Sequence, residues 1–142
     1  MKRGFTLLEI LITLGIIGLL AFIGIITGVD TYKRYLTRSD IDSAAVLLQK
    51  ARSSAINNIG NTSHGVHVGN TGEFVLFRGN SYASRDTTYD LVIEQNKDIA
   101  ISGLSEVVFS QISGETTAGT ITVTSDTGNI TININSEGGI NW

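Results

Sequence analysis

From Phe5 to Val29 the chain reads FTLLEILITLGIIGLLAFIGIITGV, an apolar run interrupted by one ionisable residue, Glu9. As a helix, about 25 residues rising about 1.5 Å each reach roughly 37 Å, more than the roughly 30 Å of hydrocarbon in a bilayer. A secretory signal peptide has a shorter apolar region closed by a small-residue cleavage site. No such site is present here, and the apolar run leads directly into a further helical pattern. A plain anchor has no use for a carboxylate, which costs about 2.5–3.5 kcal/mol at mid-bilayer and less near a helix end. Glu9 therefore demands a partner, and its place in the first turn already gives it the positive end of the helix dipole.

The chain has 142 residues, so the portion beyond the apolar run can build one modest domain. Ten Lys plus Arg against thirteen Asp plus Glu give a formal charge of −3. No Lys or Arg occurs after Lys97, whereas Glu106, Glu115, Asp126 and Glu137 all lie there. Such an acidic end argues against nucleic acid as a partner. Cysteine is absent, which removes disulfides and thiolate metal sites. Proline is absent too, so turns fall to Gly, Asn, Ser and Thr.

Beyond Asp30 the all-round apolar pattern becomes amphipathic: Ile41, Ala44, Ala45, Leu48, Ala51, Ala55 and Ile59 recur at spacings of three and four. That is one buried stripe on a helix, and its alanines would let a sheet approach closely. Asn57, Asn58, Gly60 and Asn61 read as the helix stop. Strands are expected at His64–Val68, Glu73–Arg78, Tyr89–Glu94, Asp98–Ser102, Glu106–Ser110, Thr120–Thr124 and Asn129–Asn135. The last two alternate strictly around Ser125-Asp126-Thr127-Gly128, a hairpin with one face to bury and a Thr/Asn face for water. The fold class is therefore α+β. Residues 5–29 are expected to form a transmembrane helix, 30–60 its amphipathic continuation and 61–142 a β-rich domain of mainly antiparallel sheet.

Met1-Lys2-Arg3-Gly4-Phe5-Thr6-Leu7-Leu8-Glu9 resembles the processing site of type IV prepilins and type II secretion pseudopilins. The resemblance implies that residues 1–4 are a prepilin leader, that a prepilin peptidase cuts after Gly4, that Phe5 is then N-methylated, and that Glu9 is the assembly carboxylate. In a filament that carboxylate would pair with the new amine on a neighbouring subunit. Leu47-Leu48-Gln49-Lys50-Ala51-Arg52-Ser53-Ser54-Ala55-Ile56 is similar to the helix of GspH/FimT-type minor pseudopilins. Val107-Val108-Phe109, Gly114 and Gly138-Gly139 keep the same order. Many relatives have a proline where Ile26 stands, so any bend here would rely on Gly15, Gly18, Gly24 and Gly28, which could equally serve close helix packing.

The resemblance further implies a single-pass protein of the cytoplasmic membrane with its C-terminal domain outside, later part of a pilus or pseudopilus. Charge alone leaves the orientation ambiguous, because Lys2 and Arg3 at one end face Lys33, Arg34 and Arg38 at the other. The implied partners are other pilin-like subunits, the peptidase, the inner-membrane assembly platform and membrane lipid. Some FimT-like pilins take up DNA through a basic C-terminal tail, which makes a DNA-binding tip pilin the alternative. Here Asn135 to Trp142 contains no cation for phosphate contacts.

Candidate sites elsewhere are weak. His64 and His67 lie three apart on an expected strand and so point to opposite faces, without Cys or clustered carboxylates nearby. Asp126 to Asn129 lacks the ligands of a calcium loop. No catalytic motif stands out, and neither a cofactor nor a metal is expected. Arg52, beside the buried stripe, suits either an ion pair or a snorkelling flank position, the latter being commoner.

Overall fold

The computed structural model describes residues 4–69, 72–95, 99–126 and 128–142, apart from the side chains at 26, 27 and 30. Met1, Lys2, Arg3, Asp98 and Thr127 thus lie outside the described residues. The chain divides into two compact units, Met1–Tyr35 and Leu36–Trp142, with the division inside helix α1 (Leu7–Ile56, 50 residues).

In the first unit α1 presents an apolar surface whose stretch Leu7–Ile25 carries one charge, Glu9. The stretch Leu7–Ile25 is 19 residues long with a mean hydropathy of 2.5, and none of it is buried within the chain. A helix apolar on every side satisfies its own backbone but not its side chains, and so requires a bilayer or packed neighbours around it.

In the second unit the stripe expected from the sequence faces inward. Ala44, Ala45, Leu48, Ala51 and Ala55 are fully buried and Ile41 nearly so. Thr37 and Leu47 join them. Ile59 does not: it is 47% exposed, because α1 ends at Ile56 and the chain turns away from the helix path. Asn58, Gly60 and Asn61 take left-handed φ of 53°, 71° and 54°, the conformation that Asn and Gly adopt at least cost.

Two antiparallel four-stranded sheets share the core with α1. Their strands are β1 (His64–Val68), β2 (Glu73–Arg78), β3 (Leu91–Glu94), β4 (Ala100–Gly103), β5 (Glu106–Phe109), β6 (Gly119–Ser125), β7 (Gly128–Ile134) and β8 (Ile140–Asn141). One sheet runs β3-β2-β1-β5 and the other β4-β6-β7-β8. Val66, Phe74, Leu76, Val107 and Phe109 of the first sheet meet Ile121, Val123, Ile132 and Ile134 of the second in one cluster with the α1 stripe. The β6–β7 hairpin pairs Ser125 with Gly128, and Thr122 and Thr131 contact each other on its outer face at 3.2 Å.

Strand β2 is buried on both faces, Phe74 to Phe77 without a break, so the alternation expected of a half-solvated strand disappears there. Its outer side is covered by the segment after it. The Tyr82 ring stacks on His67 at 3.8 Å and meets Phe77 edge-on at 5.7 Å, while the Arg85 guanidinium lies 3.6 Å from the same ring. Two planar groups this close cannot share one face, so the phenol is sandwiched between them. Arg85 is held there by Asp90 at 2.8 Å.

Strand β3 begins two residues later than expected. Tyr89 belongs to a 3-10 turn, Thr87–Tyr89, whose N-cap Asp86 accepts from Thr88 N at 3.1 Å. The Arg78 guanidinium, 3.8 Å from the Tyr89 ring, holds the residue in that turn. Strand β8 had no expected counterpart.

Candidate processing and assembly site

The N-terminal residues form a cap before they form a site. Thr6 accepts the first helical bond through its carbonyl, from Ile10 N at 3.2 Å. Its hydroxyl accepts from Glu9 N at 3.3 Å. Thr6 is therefore the N-cap of α1 and Glu9 its third helical residue, the Thr-x-x-Glu arrangement of a capping box. This local role is additional to any longer-range one, and the spacing of Thr6 and Glu9 was its sequence signal.

The Gly4–Phe5 bond lies immediately before this cap, in non-helical backbone. Phe5 is 79% exposed, and a Cβ added at Gly4 would meet nothing within 4 Å. Both residues that flank the bond are exposed, so it is open to solvent. Glu9 is exposed one turn further on, among Leu7, Leu8, Ile10 and Leu11, which are exposed too. Gly15, Gly18, Gly24 and Gly28 face open space, so no packing within the chain accounts for them.

Arg52 proves to be neither an ion-pair partner nor a simple flank residue among the described groups. Its Nη2 donates to the backbone carbonyl of Glu137 at 2.8 Å. Around it two glycines close in: Gly114 at φ 67°, where a Cβ would lie 2.6 Å from Ile56, and Gly138 at φ 77°, where it would strike the Gly114 carbonyl oxygen. The Ala-Arg-x-x-Ala-Ile run is thereby explained residue by residue. Ala51 and Ala55 enter the core, Arg52 holds the C-terminal segment, and Ile56 rests on Gly114. Arg52, Ile56 and Gly138 border an open recess of about 350 Å³ with Gln49, Ser53, Asn57 and Ile140.

The C-terminus is fastened a second time, where Trp142 Nε1 donates to Asp42 Oδ1 at 2.8 Å. The segment a DNA-binding tail would occupy is thus docked on α1 and carries no cation.

The two histidines part company, as their spacing predicts. His67 joins the Tyr82 stack, and His64, 6% exposed, sits opposite Arg78 in the β1–β2 register. Burial first, and the Arg78 charge second, hold His64 below its ordinary value of 6.5, with the Thr62 backbone partly opposing them. A lowered folded-state value means that the unfolded chain binds the proton more readily. Stability from this group is therefore complete above about pH 6.5 and declines as pH falls below it. His64→Gln is expected to flatten the part of the stability–pH curve just below pH 6.5 in denaturant titrations; an unchanged slope would exclude His64 as its source.

Together these features define a class: an N-terminal Gly-Phe-Thr-Leu-Leu-Glu motif heading a bare apolar helix, joined to an α+β unit in which the helix packs on antiparallel sheet. The family model described as the prokaryotic N-terminal methylation motif matches residues 1–25. The fold is similar to that of the type IV minor pilin FimU of Pseudomonas aeruginosa, in two crystal forms. One match has a TM-score of 0.62 at 16% identity over 78% of this chain and 90% of that one. The other has 0.59 at 16% identity over 73% and 90%. It is also similar to the minor pseudopilin EpsH of the Vibrio cholerae type 2 secretion system, with a TM-score of 0.57 at 12% identity over 75% and 94%. No curated protein matches the chain in sequence. The resemblance to the type IV pilin and type II pseudopilin superfamily thus rests on two separate parts of the molecule, the motif and the fold.

Proposed function

We propose that the chain is a minor pilin or pseudopilin, a structural or priming subunit of a type IV pilus or type II secretion pseudopilus, with no enzymatic role. The observation that supports this most is the methylation motif of residues 1–25 at the head of a helix with none of its Leu7–Ile25 stretch buried. In this reading the precursor lies in the cytoplasmic membrane, a single pass with its C-terminal unit outside. Prepilin peptidase cuts after Gly4 and Phe5 becomes the methylated N-terminus. The new ammonium group is the cation that Glu9 lacks among the described residues, and it is supplied by a neighbouring subunit. Pairing in an apolar surrounding gives the carboxylate its compensation and fixes the axial offset between subunits. The assembly platform then draws the α1 helices out of the lipid, each exchanging lipid contacts for helix contacts.

Intact-mass and N-terminal peptide spectrometry of the protein from its native cell tests the processing step. The expected chain starts at Phe5 with one added methyl group on its nitrogen. A chain retaining Met1 to Gly4, or cut near Asp30, would remove the basis of the proposal.

A further inference from the structure

Strand β3 closes one side of its sheet, with β2 as its neighbour. The register runs without a bulge from Leu91 opposite Leu76 to Glu94 opposite Glu73. Gln95 continues it, its N donating to the Gly72 carbonyl at 2.9 Å. Bonded and non-bonded positions alternate along an antiparallel pair, so Ile93 and Leu91 also turn their backbone groups toward β2. Val92 and Glu94 then direct N–H and C=O away from the sheet, and no backbone group among the described residues meets them. The side chains of this edge are uncovered as well: Leu91 is 40% and Val92 51% exposed, one on each face of the strand. Natural sheets guard such an edge with Pro, Lys or a bulge, and Leu91–Glu94 has none of the three. What completes an edge of this kind is an extended peptide segment that adds a strand. Glu73 and Glu94 define its charge, because they stand directly opposite each other on one face, where like charges cost stability. The cations of the adjoining elements are engaged elsewhere, Arg78 on the Tyr89 ring and Arg85 on Asp90 and the Tyr82 ring, and Lys97 lies outside the described residues. Two copies of β3 side by side would bring four carboxylates onto one face, which disfavours a second copy as the occupant.

We infer that β3 is a docking edge for an extended basic segment of another protein. The backbone of that segment bonds to Val92 and Glu94, its apolar side chains cover Leu91, and its Lys or Arg sits beside Glu73 and Glu94. The contact belongs to the second unit and adds to the helix packing proposed above, so its failure would leave the processing and pairing proposals untouched.

The test uses the full-length chain in an uncharged detergent, a short fluorescent peptide of alternating Val and Lys, and a control peptide of alternating Val and Glu. Binding is followed by fluorescence anisotropy, and amide exchange is read at single residues by NMR. The Val/Lys peptide is expected to bind about tenfold or more tightly than the Val/Glu peptide. It should slow exchange at Val92 and Glu94 and leave Leu91 and Ile93, already bonded to β2, unchanged. V92P removes a donor that β2 does not use, so the fold should persist by circular dichroism while affinity falls about tenfold or more. E73Q/E94Q should weaken the Val/Lys peptide about fivefold and leave the Val/Glu peptide no weaker. Failure of the Val/Lys peptide to bind, equal affinity for the two peptides, or equal affinity of wild type and folded V92P would overturn the site. Binding without slowed exchange at Val92 and Glu94 would overturn it too, and that measurement on the wild type decides alone if V92P does not fold.

Discussion

Glu9→Gln is expected to remove the chain from filaments while leaving the precursor inserted in the membrane. The substitution separates two roles that fall on one residue, a local cap and the proposed pairing with a neighbour. Gln serves in a capping box nearly as well as Glu, so the bond from residue 9 N to the Thr6 hydroxyl and the start of α1 should survive. The charge does not survive, and neutralising one member of a buried pair costs about 3–5 kcal/mol. At about 1.4 kcal/mol per tenfold, incorporation should fall on the order of a hundredfold or more. Glu9→Ala loses both roles and should do no better. The measurement is the ratio of filament-associated to membrane-associated subunit in cells carrying each variant. Assembly of Glu9→Gln at the wild-type level, alongside failure of Glu9→Ala, would assign the residue to helix capping and end the amine-pairing account.

The second large effect lies at Gly138. Its φ of 77° is one that side-chain-bearing residues rarely adopt, and a methyl group there would strike the backbone carbonyl of Gly114. Backbone cannot rotate aside as a side chain can. Gly138→Ala should therefore combine about 1–2 kcal/mol of left-handed strain with displacement of the segment that Arg52 holds, for a loss of about 3 kcal/mol or more. In a unit of this size that lowers Tm by roughly 10 °C or more. Gly18→Ala is the control, since a Cβ there meets nothing within 4 Å. Thermal unfolding of the full chain in detergent, monitored by circular dichroism, reads both. A Gly138→Ala transition within about 2 °C of wild type would mean that Gly114 and Gly138 do not approach as closely as described.

The parts of the fold that were legible beforehand are those governed by periodicity. The α1 stripe shows in the three-and-four spacing of Ile41 to Ala55, and the β6–β7 hairpin in its alternating Thr and Ile, because burial on one face imposes both patterns. What escapes is decided by single turns and distant partners. Ile59 continues the stripe numerically, yet one left-handed residue, Asn58, takes it off the helix. Tyr89 reads as strand, but a capping Asp86 and the Arg78 guanidinium fold it into a turn. The cover over β2 depends on Tyr82 reaching His67 and Phe77, which no local pattern announces. Arg52 could not have been assigned from sequence, since its partner is a main-chain carbonyl 85 residues away and any residue type can supply one. The candidate processing residues were legible for a different reason: Gly4, Phe5 and Glu9 are close neighbours in the chain, so their motif can be read without waiting for the fold.

Trp142, the one indole in the chain, ends it hydrogen-bonded to Asp42 of α1. Its emission consequently reports on a single seam, the one that joins the final residues to the helix. Any event that lifts this seam, whether a neighbour docking over it or unfolding that begins at the terminus, changes the polarity around one fluorophore with no other tryptophan to obscure it. The molecule thus carries an intrinsic optical gauge of its own closure, readable without attaching a dye.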